Sequence, residues 1–476
     1  MVHSDGNLLS TLAFFVWIPI ALWGARRWPP AKAAALLLLL PLMFLPERVE
    51  FDLPGLPPLT KTQLAIFWLL IGVLLFHRQR LKALHLSVWI KLPMFALLAG
   101  RILTVFLNTD PVFQGSIYLP GHGAYDAVNV IVLKTFDYIL PFVLAAAMFR
   151  DASDLRVLFR MLVGATLIYG VFQLIELRLS PQFNYWVYGY YQHMFLQMMR
   201  GDSFRPMVFM AHGITVAMFT MVGLLAAATL YKANIKVFGI PPAWSVGILW
   251  VLALLNKSLA AFLYTLVGVP LLLFFRPKTG VRVAMVLTFM ALTYPVFRSA
   301  DLIPVQWLDE VAQARFGEER AESLMTRFTN EQALLARAKE RPIFGWGTYC
   351  RPCIHDPWTG KQTSIADGEW VITIGEAGAV GFLSKYLLLL LPVFMAARRL
   401  RAIPRELDRR FVAALALMLG FSTFDLIPNS SAHYLPFVFA GALYASSTQM
   451  ARNGASQKQR DRGRSQAPIQ SHGAAA

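Results

Sequence analysis

The sequence predicts an all-α integral membrane protein of twelve or thirteen transmembrane helices, with a large extracytoplasmic loop before the last three spans. Three observations lead there. The 476 residues are 57% hydrophobic and only 15% charged, with a mean hydropathy of +0.52. A soluble domain carries about a quarter charged residues, so this chain cannot solvate the surface of a globule its size. The same apolar content excludes disorder. The apolar residues also fall in long runs, and the basic residues fall in short clusters between them.

A spanning helix needs ~20 mostly apolar residues. Candidate spans are 8–24, 31–45, 62–76, 86–107, 131–149, 157–175, 207–231, 240–255, 258–275, 281–297, 371–397, 411–426 and 434–447. The second is short enough to be half of a hairpin, hence the alternative count of twelve. The first run has no basic residue before it, and Arg26, Arg27 and Lys32 follow it. That order predicts a retained helix with its N-terminus outside the cytoplasm, not a cleaved signal.

Lys and Arg exceed Asp and Glu by 44 to 27, a net charge of +17. The excess sits in alternate loops: Arg26/Arg27/Lys32, Arg78/Arg80/Lys82, Arg150/Arg156/Arg160, Lys232/Lys236, Arg276/Lys278/Arg282, Arg398–Arg410 and the tail from Arg452. With thirteen spans all seven fall on one side, the cytoplasm by the positive-inside rule. A nucleic-acid partner, which would require a basic face on its own fold, is not indicated. The chain divides into ten helices over 1–297, a periplasmic loop over 298–370, the C-terminal helices over 371–450 and a disordered basic tail over 451–476. The tail is placed near anionic lipid.

The opposite side holds the long excursions 46–61, 108–130, 176–206 and 298–370, the last with a helical stretch over 318–339. Most connections are ~2–8 residues, so these direct attention to the extracytoplasmic face. Cys350 and Cys353, the only cysteines, form a CxxC there. A local disulfide is the simplest reading on an oxidising face; free thiols and a redox or zinc site, with His355 nearby, are the alternatives. Arg205 stands where an aromatic-rich loop, 183–191, meets the next span, and His212 follows two turns on. Arg205 reads as an interfacial anchor or a phosphate ligand, and the aromatic rings as a belt or sugar-stacking platforms. Lys91, Arg101, Lys134, Asp137 and Asp425 fall within spans and should face the bundle or an aqueous cavity. Lys134 and Asp137, three apart, can neutralise each other. Arg101 is placed to snorkel or to extend a phosphate site.

From Arg327 the sequence runs through a helix to Pro342-Ile-Phe-Gly345-Trp-Gly347, the cysteine pair, Asp367-Gly-Glu369-Trp370 and Glu376-Ala-Gly378-Ala-Val-Gly381. The glycine turn permits tight backbone excursions, and Gly378 and Gly381 permit close packing. An Arg, fifteen residues to Pro, an aromatic-Gly-x-Gly turn, an outer loop and Glu-x-Gly-x-x-Gly together resemble the bacterial O-antigen ligase/O-antigen polymerase superfamily. The Arg205-Pro and His212-Gly region is also similar to that family's arginine region. The family has a His-Asn pair where this chain has Asp367-Gly368, and often Ser-Arg where it has Asn256-Lys257-Ser258.

The resemblance implies an inner-membrane enzyme that moves a glycan from undecaprenyl diphosphate to an acceptor hydroxyl on the periplasmic face. It implies no metal, nucleotide sugar or ATP. Arg205, Arg327 and His212 would take the diphosphate, and Asp367, or alternatively Glu369, would act as general base. Asp367 at the His position favours a polysaccharide polymerase over a ligase that uses a lipid A–core acceptor. The residues alone leave plainer readings: Arg327 as a brace for its helix and Asp367 as an N-cap. A lipid-linked glycan flippase or other transporter would explain intramembrane charge without chemistry, but related halves, its usual mark, are not evident. A peptidoglycan-type polymerase and a protein O-oligosaccharyltransferase are the other rivals.

Overall fold

The computed structural model describes residues 2–52, 54–194, 198–200, 203–430 and 433–465. It is 72% helical. Its main helices are α1 Leu8–Arg27, α2 Pro30–Phe44, α3 Lys61–Phe76, α4 Val88–Phe106, α5 Ala124–Met148, α6 Ala152–Leu179, α7 Gly213–Lys232, α8 Pro242–Leu255, α9 Leu259–Phe274 and α10 Pro277–Ser299. Then come α11 Val305–Phe316, α12 Glu318–Ala338, α13 Glu369–Arg399, α14 Glu406–Asp425 and α15 Leu435–Ser465. Setting aside α11 and α12, the pair in the large loop, a helix stands at each of the thirteen predicted apolar positions. Seven are long and apolar enough to cross a membrane on length and composition, and α2, α3, α8 and α9 are shorter apolar helices. Among the described residues there are three β-ladders, each a short antiparallel pair.

The bundle is built around α7, whose apolar window is almost wholly enclosed, whereas α1 and α10 bury about a third of theirs. Neighbouring helices α6, α8 and α9 pack on α7, and α10 packs along α14. Small residues allow the close approaches: a Cβ on Gly223 would lie 2.2 Å from the Thr166 hydroxyl, and one on Gly420 2.9 Å from the Ala284 backbone. The perimeter is apolar, with Phe95, Trp244 and Phe274 each more than two-thirds exposed. Such a belt is untenable in water and suits lipid.

The basic loops gather at one end. Arg80 bonds Asp154 (2.8 Å), Arg410 donates to the Leu272 carbonyl (3.1 Å), and Tyr444 donates to the His85 carbonyl (3.1 Å). The other end joins the long excursions: Asn7 N–H donates to the Tyr188 carbonyl (2.9 Å), and Arg341 pairs with Asp110 (2.9 Å).

Two expectations are corrected. The tail does not become irregular at residue 451, because α15 runs on to Ser465. It extends a helix already nucleated in the bundle, so each added residue costs little. Gly454 sits where a Cβ would lie 2.2 Å from the Ala402 carbonyl, packing this extension on the α13–α14 turn. Residues 466–476 lie outside the described residues.

The predicted span over 371–397 is not one straight helix. At Gly378 the backbone takes φ 61° and ψ −164°, a region open essentially to glycine alone. Sixteen residues of unbroken helix span about 24 Å, yet Lys385 Nζ is ion-paired with Glu369 and lies 3.4 Å from the Thr373 hydroxyl. The arms 369–377 and 379–399 therefore lie side by side. The first, at about 13 Å, is too short to cross the ~30 Å hydrocarbon core, and the second is long enough. A Cβ on Gly378 would fall 2.3 Å from both the carbon and the oxygen of the Ile343 carbonyl. Gly378→Ala is expected to cost on the order of 3 kcal/mol from strain and clash. Thermal unfolding in detergent reads this; an unchanged melting temperature would mean that the reversal does not depend on this glycine.

Candidate functional site

The reversal at Gly378 sets the depth of the site. Arm 369–377 rises from inside the bundle, so Asp367 and Gly368, just before it, are held low among the helix ends. Glu369 N–H donates to the carbonyls of Leu426 (3.1 Å) and Asn429 (3.2 Å), tying the arm to the end of α14. Gly368 is needed there: a Cβ would lie 2.4 Å from the Ile427 carbonyl.

A cavity of about 480 Å³ opens at this point, at the end of the bundle away from the basic loops. Arg327 from α12 and Asp367 line it, joined by an ion pair (Nε to Oδ2, 3.2 Å) with both side chains more than a third exposed. Across the cavity stands a second pair that the sequence did not single out, Lys61 and Glu47 (2.5 Å). Lys61 is buried and also donates to the Phe209 and Leu45 carbonyls (3.2 and 3.3 Å). His193, His212, His433, Asn429 and Ser430 add to the polar lining, with the hydroxyls of Thr62 and Thr215.

His212 is the N-cap of α7: its Nδ1 accepts from the Ile214 N–H (3.0 Å). That bond commits Nδ1 to the helix backbone and fixes the ring at the edge of the cavity. His433 repeats the arrangement at the start of α15, with Nδ1 accepting from the Leu435 N–H (3.2 Å). The bundle surrounds His433 even though its edge lines the cavity. Burial, aided by the Lys61 cation, pushes its pKa down to about 4. It is therefore neutral at physiological pH.

The remaining sequence candidates separate. Arg205 is buried against Gly213, where a Cβ would meet its Cδ at 2.5 Å, and it is not among the cavity-lining residues. Glu369 is turned away from the cavity into a buried group with Lys385 and Thr373, and Lys385 also reaches Tyr138 Oη (3.2 Å). Held there, the Glu369 carboxylate does not line the cavity, unlike that of Asp367. Arg101 is paired with Glu376 (3.0 Å) instead of extending the site. Lys134 and Asp137 are 3.9 Å apart, and Asp137 accepts its closer bond from Gln63 (2.7 Å) beside a π-helical turn, Thr135–Ile139. Cys350 and Cys353 are joined in a disulfide. Beside them Arg351, fully buried, donates to the carbonyls of Trp346, Asp110 and Pro120 (2.7–3.0 Å), so this loop clamps the outer ends together. In the aromatic loop, the Tyr188 hydroxyl donates to the Phe44 carbonyl (2.6 Å) and Tyr190 accepts from the Arg48 N–H (3.0 Å), so these two rings serve packing.

Among the described residues no three His, Cys, Asp or Glu side chains converge with metal-binding geometry. The fold and cavity define a multi-pass membrane protein with a charged site at one end of its bundle. No protein-family model matches the chain, and no curated relative matches it.

Proposed function

We propose that the protein is a glycosyltransferase of the bacterial inner membrane that moves a glycan from undecaprenyl diphosphate to an acceptor hydroxyl on the periplasmic face. The observation that carries this reading is the convergence of Arg327, Lys61, His212 and His433 on one cavity with the Asp367 carboxylate. An anionic leaving group and a hydroxyl nucleophile need just such a set of donors and one base. The orientation follows from the positive-inside rule: the basic end is cytoplasmic and the cavity faces the periplasm.

In this mechanism both cations begin paired with carboxylates. An arriving diphosphate competes for Arg327 and Lys61 with doubly charged, charge-assisted bonds, and Arg327 leaves Asp367 free to accept a proton. The acceptor oxygen attacks the anomeric carbon, its proton passes to Asp367, and the bond from that carbon to the phosphate oxygen breaks. The electron pair leaves with the lipid diphosphate, held by Arg327, Lys61 and the Nε2 proton of His433, with His212 beside them on the cavity wall. Direct displacement inverts the anomeric centre. Asp367, in place of the histidine that the resembled family carries, favours a polymerase whose acceptor is another glycan; a ligase with a lipid A–core acceptor is the second reading.

Electrophoresis of surface and lipid-linked glycans from a strain lacking the gene tests this. Single repeat units that persist while long chains vanish are the expected result. Long chains accumulating on undecaprenyl diphosphate would identify a ligase. Repeat units trapped in the cytoplasmic leaflet would make the protein a flippase and the proposed chemistry wrong.

A further inference from the structure

A second cavity, of about 440 Å³, lies at the basic end, where the α9–α10 turn meets the α13–α14 turn. Glycan transfer has no use for it. Arg276 and Lys278 line it from the first turn, Arg401 and Arg409 from the second.

The charges are not balanced from within. Glu406, the one carboxylate among the described lining residues, accepts from Arg410 (2.8 Å). Arg409 is committed to the Ile403 carbonyl (2.6 Å), which fixes the second turn. Arg276, Lys278 and Arg401 are exposed, and among the described residues none of them has a carboxylate partner. Arg282 and Arg401 both lie within electrostatic reach of Lys278. Like charges crowded around one cavity repel, and an anion seated among them removes that cost.

The wall is of another kind. Pro277, Ala397 and Leu400 give the cavity an apolar side. Phe274 and Phe275, immediately before Arg276, are 80% and 51% exposed on the lipid-facing perimeter. The complement of such a site is a molecule with an anionic head and an apolar body that lies in the bilayer.

We propose that this cavity binds the phosphate headgroup of an anionic phospholipid, held by Arg276, Lys278 and Arg401, with its acyl chains along Phe274 and Phe275. Basic pockets between membrane helices hold headgroups in this way. The bound lipid bridges the turns at the ends of α10 and α14 and pins them together. The inference is independent of the reaction at the other end.

Native mass spectrometry of the full-length protein in detergent, titrated in turn with phosphatidylglycerol, cardiolipin, phosphatidylcholine, pyrophosphate and ATP, tests it. The anionic lipids should bind and raise the melting temperature, and phosphatidylcholine should not. Arg276→Gln, Lys278→Gln and Arg401→Gln combined should weaken phosphatidylglycerol binding on the order of a hundredfold, and Arg401→Gln alone roughly fivefold, at the usual contribution of one surface cation. Lys232→Gln with Lys236→Gln, exposed charges elsewhere at this end, should change nothing. Equal loss in the two multiple variants would reduce the effect to general surface charge and overturn the site. So would equal binding of phosphatidylcholine. Pyrophosphate or ATP binding in place of lipid would assign the cavity to a soluble phosphate instead.

Discussion

Asp367→Asn is expected to abolish glycan transfer while leaving the protein folded in the membrane. The change is isosteric and removes one proton acceptor. The ion pair it breaks, Arg327 to Asp367 at 3.2 Å, joins two side chains more than a third exposed. Water screens such a pair to about 0–1 kcal/mol, so the melting temperature should barely move. Transfer should fall by roughly 10²–10⁴-fold, the usual contribution of a positioned base. Arg327→Ala should also abolish transfer, but through the leaving group, whereas Arg327→Lys keeps the charge, loses the planar fork and should retain partial activity. Transfer of radiolabelled glycan from lipid-linked donor by the purified variants separates these outcomes. Normal product from Asp367→Asn would move the base elsewhere, and among the described residues Glu47 is the other carboxylate lining the cavity.

Hydropathy is measured along one dimension, which explains what was legible in advance. The thirteen apolar runs and the loop helix predicted over 318–339 follow from local composition, and the structure has a helix at each run and a loop helix over Glu318–Ala338. Arg327 and Asp367, flagged forty residues apart, do meet, and His212 lines the same cavity. The reversal at Gly378 left no such mark, because the apolar pattern continues through it and glycine is common inside spans. Without the reversal nothing suggests that Glu369 and Lys385 touch, so Glu369 looked as available as Asp367. Glu47 and Lys61 stand at the two ends of the excursion 46–61 and His433 in the turn before α15, and they carry no spacing that unites them. A charge at the edge of a span reads the same whether it faces a cavity or the lipid headgroups.

The Glu369–Lys385 pair carries the second large effect. Lys385 is 1% and Glu369 9% exposed at the side chain, far from bulk water. Lys385→Met should destabilise the protein by about 3–5 kcal/mol, because Glu369 is then a buried charge without its partner. Glu369→Gln strands the ammonium and should cost a similar amount. The double variant, with neither charge, should recover most of the loss, since a well-packed neutral pair replaces a buried ion pair at little cost. Unfolding of all four proteins in detergent gives the coupling energy directly. The pair also holds the two arms of α13 together at the level of Asp367, so it acts on the site as a positioning device. Each single variant should therefore lower the rate of transfer, and the double should restore it in step with stability. If the double regains stability but stays inactive, the charge on Glu369 or Lys385 has a part in the reaction that the buried geometry does not give it. If the double is as unstable as the singles, the two arms are held by apolar packing and the pair is a passenger.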